Sequence, residues 1–547
     1  MLNTSIFNKM IKFLTSSTEN IRLSETDLWN YQQKYYTDTG IKAWDNNAVP
    51  YYATNNSYIG YAYASIIFGF LNDCIEREVD LTFETFYIIE IGTGNGQFGF
   101  YTIKHLVELR KKMGMEKISF VYVMTDISLK NIKFCQEHPD LKPYIEEGLL
   151  DFSLFNILSD NSLSLLNSGK TLGAQTNNQT LPKPFIVLTN YVLDSLPQDL
   201  FRISNGKVQE VTFPKEKSSA ISSSIKNAKV GTYSLLELGL NKCFRDVTLP
   251  YYQDKNIGEV LEYYFKDGSD AWILFPIGAL TGINNLANLS GNQLLLLCTD
   301  KGYSRNFRIH HSKEPEISLH GAFSFKTNFH AIGQYFIQRN GKAIHQDIEQ
   351  KIQTEIFSLG IAKSKASTID YNITSEINTY SPSIYLDLIT YFTINKQKSS
   401  PEIVLSLFKM SKWDPQVFSV FSDMLINWIK TAPNIIIEDI IFNLDKVSNN
   451  FYYLPFCDNI MIKLGVFYQE LQDYSKAISY YKKSICYFGK DSKILLDMGI
   501  CNYFLKNHEN AMALFKEALK INPNYVRAKG WIQQILDDIK AEEVASI

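Results

Sequence analysis

The stretch Phe86–Gly99, FYIIEIGTGNGQFG, runs aromatic and β-branched residues into an acidic residue, Glu90, and then into three alternate glycines, Gly92, Gly94 and Gly96. A helix-like segment begins near Gln97. Strand, glycine turn and helix N-terminus in that order bring a nucleotide-like ligand against the main chain. Glycine tolerates positive φ and carries no Cβ, so the ligand can approach closely.

Two ligand classes compete for this turn. Gly94-x-Gly96-x-x-Gly99 is formally a dinucleotide fingerprint, which alone is a weak signal. In that register Gly94 is expected directly after an apolar strand end, yet Gly92 and Thr93 intervene. Glu90-x-Gly-x-Gly-x-Gly instead resembles motif I of class I S-adenosylmethionine (SAM) methyltransferases, where the carboxylate holds the methionine ammonium. SAM is therefore the preferred ligand, NAD the second, and a glycine loop with no ligand role the third.

The segments that follow predict a doubly wound α/β sheet. After a helix Gln97–Met113, the run Ile118–Met124 reads as a buried strand ending at Asp126 and Ile127. A carboxylate there is placed to take a ribose diol, or else it simply caps the next helix. A third strand, Leu149–Leu154, leads to Asn156; the resemblance to class I enzymes implies that it reads an adenine edge, and otherwise it closes a turn. The fourth, Phe185–Thr189, leads into Asn190, Tyr191 and Asp194, at the strand end where open α/β sheets bind ligands. Gly278–Asn288 reads as a helix and Leu294–Asp300 as a fifth strand. Asn167–Pro184 and Lys215–Gly231 are expected to be loops.

Residues from about Trp29 to His330 are similar to the MidA-like group of SAM methyltransferases. The likeness rests on Tyr52–Phe70, IEIGTGNGQF, TNYVLDSLPQDLF, LLLLCTDKGY and HGAFSFKTNFHAI. The group includes protein-arginine methyltransferases acting on a subunit of respiratory complex I. The resemblance implies that Thr54 lies near the donor. The group's Asn-Glu-x-x-Asp-Ala-x-Pro segment aligns with Asn190-Tyr191-x-x-Asp194-Ser195-x-Pro197, so tyrosine stands where the group has glutamate. Tyrosine cannot supply the charge that pairs with a guanidinium, and arginine is not carried over as acceptor.

The 547 residues suffice for two to four domains. With 54 basic and 57 acidic residues well mixed, no nucleic-acid surface is expected. Seven scattered cysteines predict free thiols, and eight histidines show no metal-ligand spacing. Lys9 and Lys12 interrupt the apolar run of Met1–Leu14, a poor signal peptide, and no segment has the roughly eighteen apolar residues of a membrane span. A cytoplasmic protein is expected.

From about Ser399 the pattern turns wholly helical. Leu464-Gly465, Tyr468, Ala477, Tyr481 and Ser484 recur 34 residues later as Met498-Gly499, Asn502, Ala511, Phe515 and Ala518. Small residues let paired helices approach while large ones fill the gaps. The units, about 458–491 and 492–525 with a capping helix at 525–540, resemble tetratricopeptide repeats, and Pro401–Lys446 is expected to complete the stack in degenerate form. Such a module offers a concave surface for a protein or peptide, or serves only as a buttress.

The expected organisation is a helical cap contributing to the cofactor site (1–80), a methyltransferase domain with insertions (81–395) and a repeat domain (396–547). Glu90 would hold the methionine end, Asp126 and Ile127 the ribose side and Asn156 the adenine edge. Gly92, Gly94 and Gly96 would permit close approach, Thr54 and Asn190 would border the methyl, and Tyr191 and Asp194 would face the acceptor. The acceptor is expected to be a protein recruited by the repeats. The alternatives are a small-molecule methyltransferase and a non-catalytic SAM-binding scaffold.

Overall fold

Phe86–Ile91 (β1) is buried along its whole length and carries a parallel neighbour on each side, Phe120–Asp126 (β2) and Phe185–Asn190 (β4). Runs rich in β-branched and aromatic residues with no polar face are what a strand covered on both faces requires. Leu150–Leu154 (β3) extends the sheet parallel beyond β2, and Leu294–Tyr303 (β5) parallel beyond β4. Ile352–Leu359 (β7) then pairs antiparallel with β5, and Lys342–Ile344 (β6) antiparallel with β7. The strand order among the described residues is therefore 3-2-1-4-5-7-6, and Thr327–Asn328 adds a short parallel pairing to the end of β5. This computed structural model describes residues 19–47, 49, 51–75, 85–116, 118–173, 184–218, 221–310, 312–361 and 367–545. Met1–Leu14 and most of the Asn167–Pro184 loop lie outside them.

Helices cover both faces of the sheet. Ser57–Ile75 (α2) and Gln97–Lys112 (α3) lie together on one face. There a Cβ at Gly99 of α3 would stand 2.4 Å from Met124 Cε of β2, and one at Gly60 of α2 2.4 Å from Tyr101 Cβ of α3. On the other face Ile277–Leu289 and Phe329–Gln338 join Ile89, Val123, Val187 and Leu296 in one core. The fold is a doubly wound α/β sheet.

A second sheet, antiparallel, sits beside the first and was not foreseen in the sequence. It orders Asn20–Arg22, Lys207–Pro214, Asp199–Ser204 and Ala271–Phe275, with Cys243–Asp246 also on Lys207–Pro214. Its Leu200, Val211 and Phe213 pack with Leu28 and Trp29 of the helix Asp27–Thr39 (α1). That sheet is the platform that holds α1. The expected loop Lys215–Gly231 instead contains two short helices, Lys215–Ser218 and Ile221–Asn227. The second is held by Ile221 and Ile225, buried side chains four residues apart.

The chain divides into two compact units, Met1–Leu386 and Asp387–Ile547. In the second, Ile460–Glu470, Tyr474–Phe488, Ser492–Phe504 and His508–Ile521 form two helical hairpins followed by Val526–Ala545. Asn459, Asp473 and Asp491 cap the first three of these helices by accepting backbone N–H bonds. A Cβ at Gly465 would lie 2.4 Å from Tyr481 Cε1, and one at Gly499 2.4 Å from Phe515 Cε1. The same joint thus recurs 34 residues on. Alanine in a helix gains about 1 kcal/mol over glycine, but an extra methyl against a fully buried ring costs about 1–3 kcal/mol. Gly499→Ala is therefore expected to lower the melting temperature of the C-terminal unit, and Gly499→Ala with Phe515→Leu to recover part of the loss. An unchanged melt for the single variant would contradict this packing.

Candidate functional site

The carboxyl ends of β1 to β4 meet beneath α1 around a cavity of about 420 Å3. The strand order reverses between β1 and β4 here, the switch point where open α/β sheets take ligands. Thr54, Glu90, Gly92, Gly94, Asp126, Ile127, Asn156, Asn190 and Tyr191 all line it. Gly96 and Asp194 are not among the lining residues. Gly92, Gly94 and Gly96 have φ of +71°, +58° and +78°, so the turn needs glycine at each. Gly96 is the N-cap of α3, and Asn95 Oδ1 accepts the Gln97 N–H at 3.1 Å.

Glu90 is 5% exposed. Its Oε2 accepts from Thr93 Oγ1 at 2.9 Å and Tyr122 OH at 3.1 Å. Burial outweighs both bonds and pushes its pKa up to about 7. Asp126 ties the turn together: Oδ2 accepts from Gly94 N–H at 3.0 Å and Asn131 Nδ2 at 3.1 Å, and Oδ1 from Ser128 N–H at 2.7 Å. Its pKa is raised by burial, against these bonds. The carboxylate thus serves the loop as well as any ligand. Asn156 closes its own turn, Oδ1 accepting from Leu158 N–H at 3.0 Å. Ile127, Phe155, Ile157 and Leu158 give this end of the cavity an apolar lining.

At the other end Asn190 Oδ1 accepts from Tyr63 OH at 2.7 Å, and that phenol also meets Thr299 Oγ1 at 2.7 Å. Tyr191 holds φ +54°, a left-handed conformation that costs an L residue about 1–2 kcal/mol, and its N–H is anchored to Thr299 O at 3.0 Å. Burial, with Asp300 and Asp194 nearby, raises its pKa. Asp194 is buried behind the wall, accepting from Ser195 Oγ at 2.9 Å.

The individual residues of the roof were missed in the sequence, which predicts only a helical cap over residues 1–80 contributing to the cofactor site. Trp29, Gln32, Gln33 and Tyr36 of α1 line it, together with Trp44 and Asn55. These four of the five lining residues of α1 fall at i, i+3, i+4 and i+7, and amides within such a stripe are a sign of a site rather than of plain core. Trp44 lies against the turn, its Cη2 2.8 Å from where a Cβ at Gly94 would be. Among the lining residues the charged side chains are Glu25, Glu90 and Asp126, all acidic.

Residues 459–485 and 492–525 match the tetratricopeptide repeat family. The C-terminal unit carries tetratricopeptide repeats. No curated protein matches the chain. Among solved structures, the chain is similar to an inferred methyltransferase from Burkholderia thailandensis bound to S-adenosylhomocysteine, at 12% identity and TM-score 0.39, over 67% of this chain and 94% of that one. A native structure of an uncharacterised protein of the same superfamily and organism matches at 12% identity and TM-score 0.34, over 67% and 94%. The repeat-containing C-terminal domain of a Plasmodium falciparum FK506-binding protein matches at 18% identity and TM-score 0.17, over 29% and 90%. These overlaps are too loose to assign an activity. Among the described residues no group of acids, histidines and cysteines is arranged to hold a metal ion, and no helix is long and apolar enough to cross a membrane.

Proposed function

We propose that the N-terminal unit is a SAM-dependent methyltransferase, its cap contributed by residues 1–80, and that the repeats recruit a protein acceptor. The observation that carries this reading is the convergence of Glu90, the positive-φ glycines Gly92 and Gly94, and Asp126 on one cavity at the switch point. An acidic, unpaired Glu90 suits an ammonium, and a pocket whose charged walls are all acidic suits a cationic donor. The sheet also speaks against a dinucleotide. That fold continues parallel in the order 3-2-1-4-5-6, whereas here the antiparallel β7 occupies the place beside β5. Gly99, which packs α3 onto β2, fits either register.

In this reading SAM supplies an activated methyl, and the chain's residues align and desolvate the reactants. Glu90 borders the methionine end, Asp126 and Ile127 the ribose, Asn156 and the apolar wall the adenine, and Thr54 and Asn190 with Tyr191 the transfer position. Calorimetric titration of the full chain tests it. Saturable SAM binding with no heat from NADH is expected, and the reverse would replace the donor. Tritiated SAM added with a cell extract is expected to label a discrete protein band. Removing residues 387–547 should abolish that label while SAM binding persists; label that survives would dissociate the repeats from acceptor choice.

A further inference from the structure

Behind the transfer end of the cavity lies a buried carboxyl pair. Asp194 and Asp300 are 3% and 0% exposed, and they lie close enough that each carboxyl acts on the charge of the other. Asp300 Oδ2 also accepts the Asp194 N–H at 2.9 Å, and Oδ1 the Lys301 N–H at 2.8 Å. Two buried carboxyl groups in contact cannot both remain ionised, so the pair shares a proton. Lys301, Ser324, Tyr36, Tyr63, Tyr191 and Cys298 are the other polar or titratable groups that act on it.

Ser195 joins this pair to the cavity that it lines. Its hydroxyl donates to Asp194 Oδ1 at 2.9 Å and accepts from Gln32 Nε2 at 3.1 Å. The orientation of the Gln32 amide is fixed by Phe323, whose N–H donates to Oε1 at 3.1 Å and whose carbonyl accepts from Nε2 at 2.7 Å. A hydroxyl has one donor and two acceptor positions. One lone pair of Ser195 therefore stays open for a donor in the cavity.

We propose that Ser195, Asp194 and Asp300 form a proton relay that receives the proton of an N–H or O–H acceptor as it is methylated, an inference resting on the methyltransferase reading. The acceptor lone pair bonds to the methyl carbon, and the carbon–sulfur pair stays on sulfur, leaving a thioether. The acceptor proton passes to Ser195 Oγ as the Ser195 proton passes to Asp194 Oδ1. Ser195 touches the acceptor. Asp194 and Asp300 are positioning residues, Asp300 holding the shared proton so that Asp194 stays a base.

Sinefungin, the SAM analogue with C–NH3+ in place of S+–CH3, places N–H donors at the transfer position, and S-adenosylhomocysteine has nothing there. Calorimetry on the full chain is expected to show Ser195→Ala and Asp300→Asn weakening sinefungin about tenfold, the loss of one charge-assisted bond, with S-adenosylhomocysteine unchanged. Equal losses for both ligands, or none for either, would overturn the relay. Ser195→Ala, at a half-buried small residue, serves where Asp300→Asn fails to fold. A wild-type chain that binds neither ligand would instead remove the methyltransferase reading itself.

Discussion

Gly94→Ala is expected to weaken SAM binding at least 100-fold while the sheet remains folded. Two independent penalties act at this position. The backbone sits at φ +58°, which costs an L residue about 1–2 kcal/mol. The new Cβ would also stand 2.8 Å from Trp44 Cη2 and 2.9 Å from Cζ2, so the indole must move into the cavity or the turn must move off Asp126. Either movement destroys the shape that a ligand meets, and lost shape is lost affinity. A double-variant cycle separates the two penalties. Trp44→Ala in the Gly94→Ala background should restore the steric share and leave the backbone share. Calorimetry on the four proteins measures both, and SAM affinity for Gly94→Ala within threefold of wild type would refute the argument.

The second large effect is electrostatic. SAM affinity is expected to fall about tenfold from pH 8 to pH 6, because in the proposed role Glu90 would hold the ammonium only when ionised and its pKa lies at about 7. Binding at pH 6 should release close to one proton, visible as a dependence of binding heat on buffer ionisation enthalpy. Glu90→Gln keeps an acceptor for Thr93 and Tyr122 but loses the charge. It should bind SAM about 10- to 100-fold more weakly, the usual worth of a hydrogen bond to a charged group, with a flat pH profile. In the free protein the sign is opposite. A carboxylate whose folded-state pKa is raised gives its full stabilisation below pH 4.5 and loses it as pH rises through 7. Wild type should therefore melt progressively lower over that window, and Glu90→Gln should lack this slope. A wild-type affinity independent of pH would take Glu90 out of the site.

The parts of this arrangement that could be read from sequence are those written in consecutive residues. The glycine turn, the strand-end Asp126 and the 34-residue repeat each declare themselves locally, since spacing alone carries their physics. β7 escaped because Gln353, Thr354 and Glu355 interrupt its apolar pattern, although all three are buried in the structure. Buried polar residues make a covered strand look like a loop. Trp44 and Asn55 escaped for another reason: only the fold brings them over Gly94 and beside Asn95. Asp194 was read as facing the acceptor because it follows a strand, yet the turn directs its side chain inward to Ser195 and Asp300.

The cavity is roofed by residues from Ser24 to Asn55 and floored by residues from Glu90, at the end of the central strand β1, to Pro197. Its contacts therefore close long stretches of chain, and such pairings form late in folding. During synthesis the glycine turn emerges well before β4 can insert beside β1, and the pocket has no far wall until Pro197 has followed. A ribosome-bound chain halted shortly after β3 would already contain the turn and its aspartate and still have nowhere to hold a nucleoside. Ligand capture would mark the docking of β4 and the turn after it, and a kinetic trace of binding during refolding would time that event rather than the first collapse.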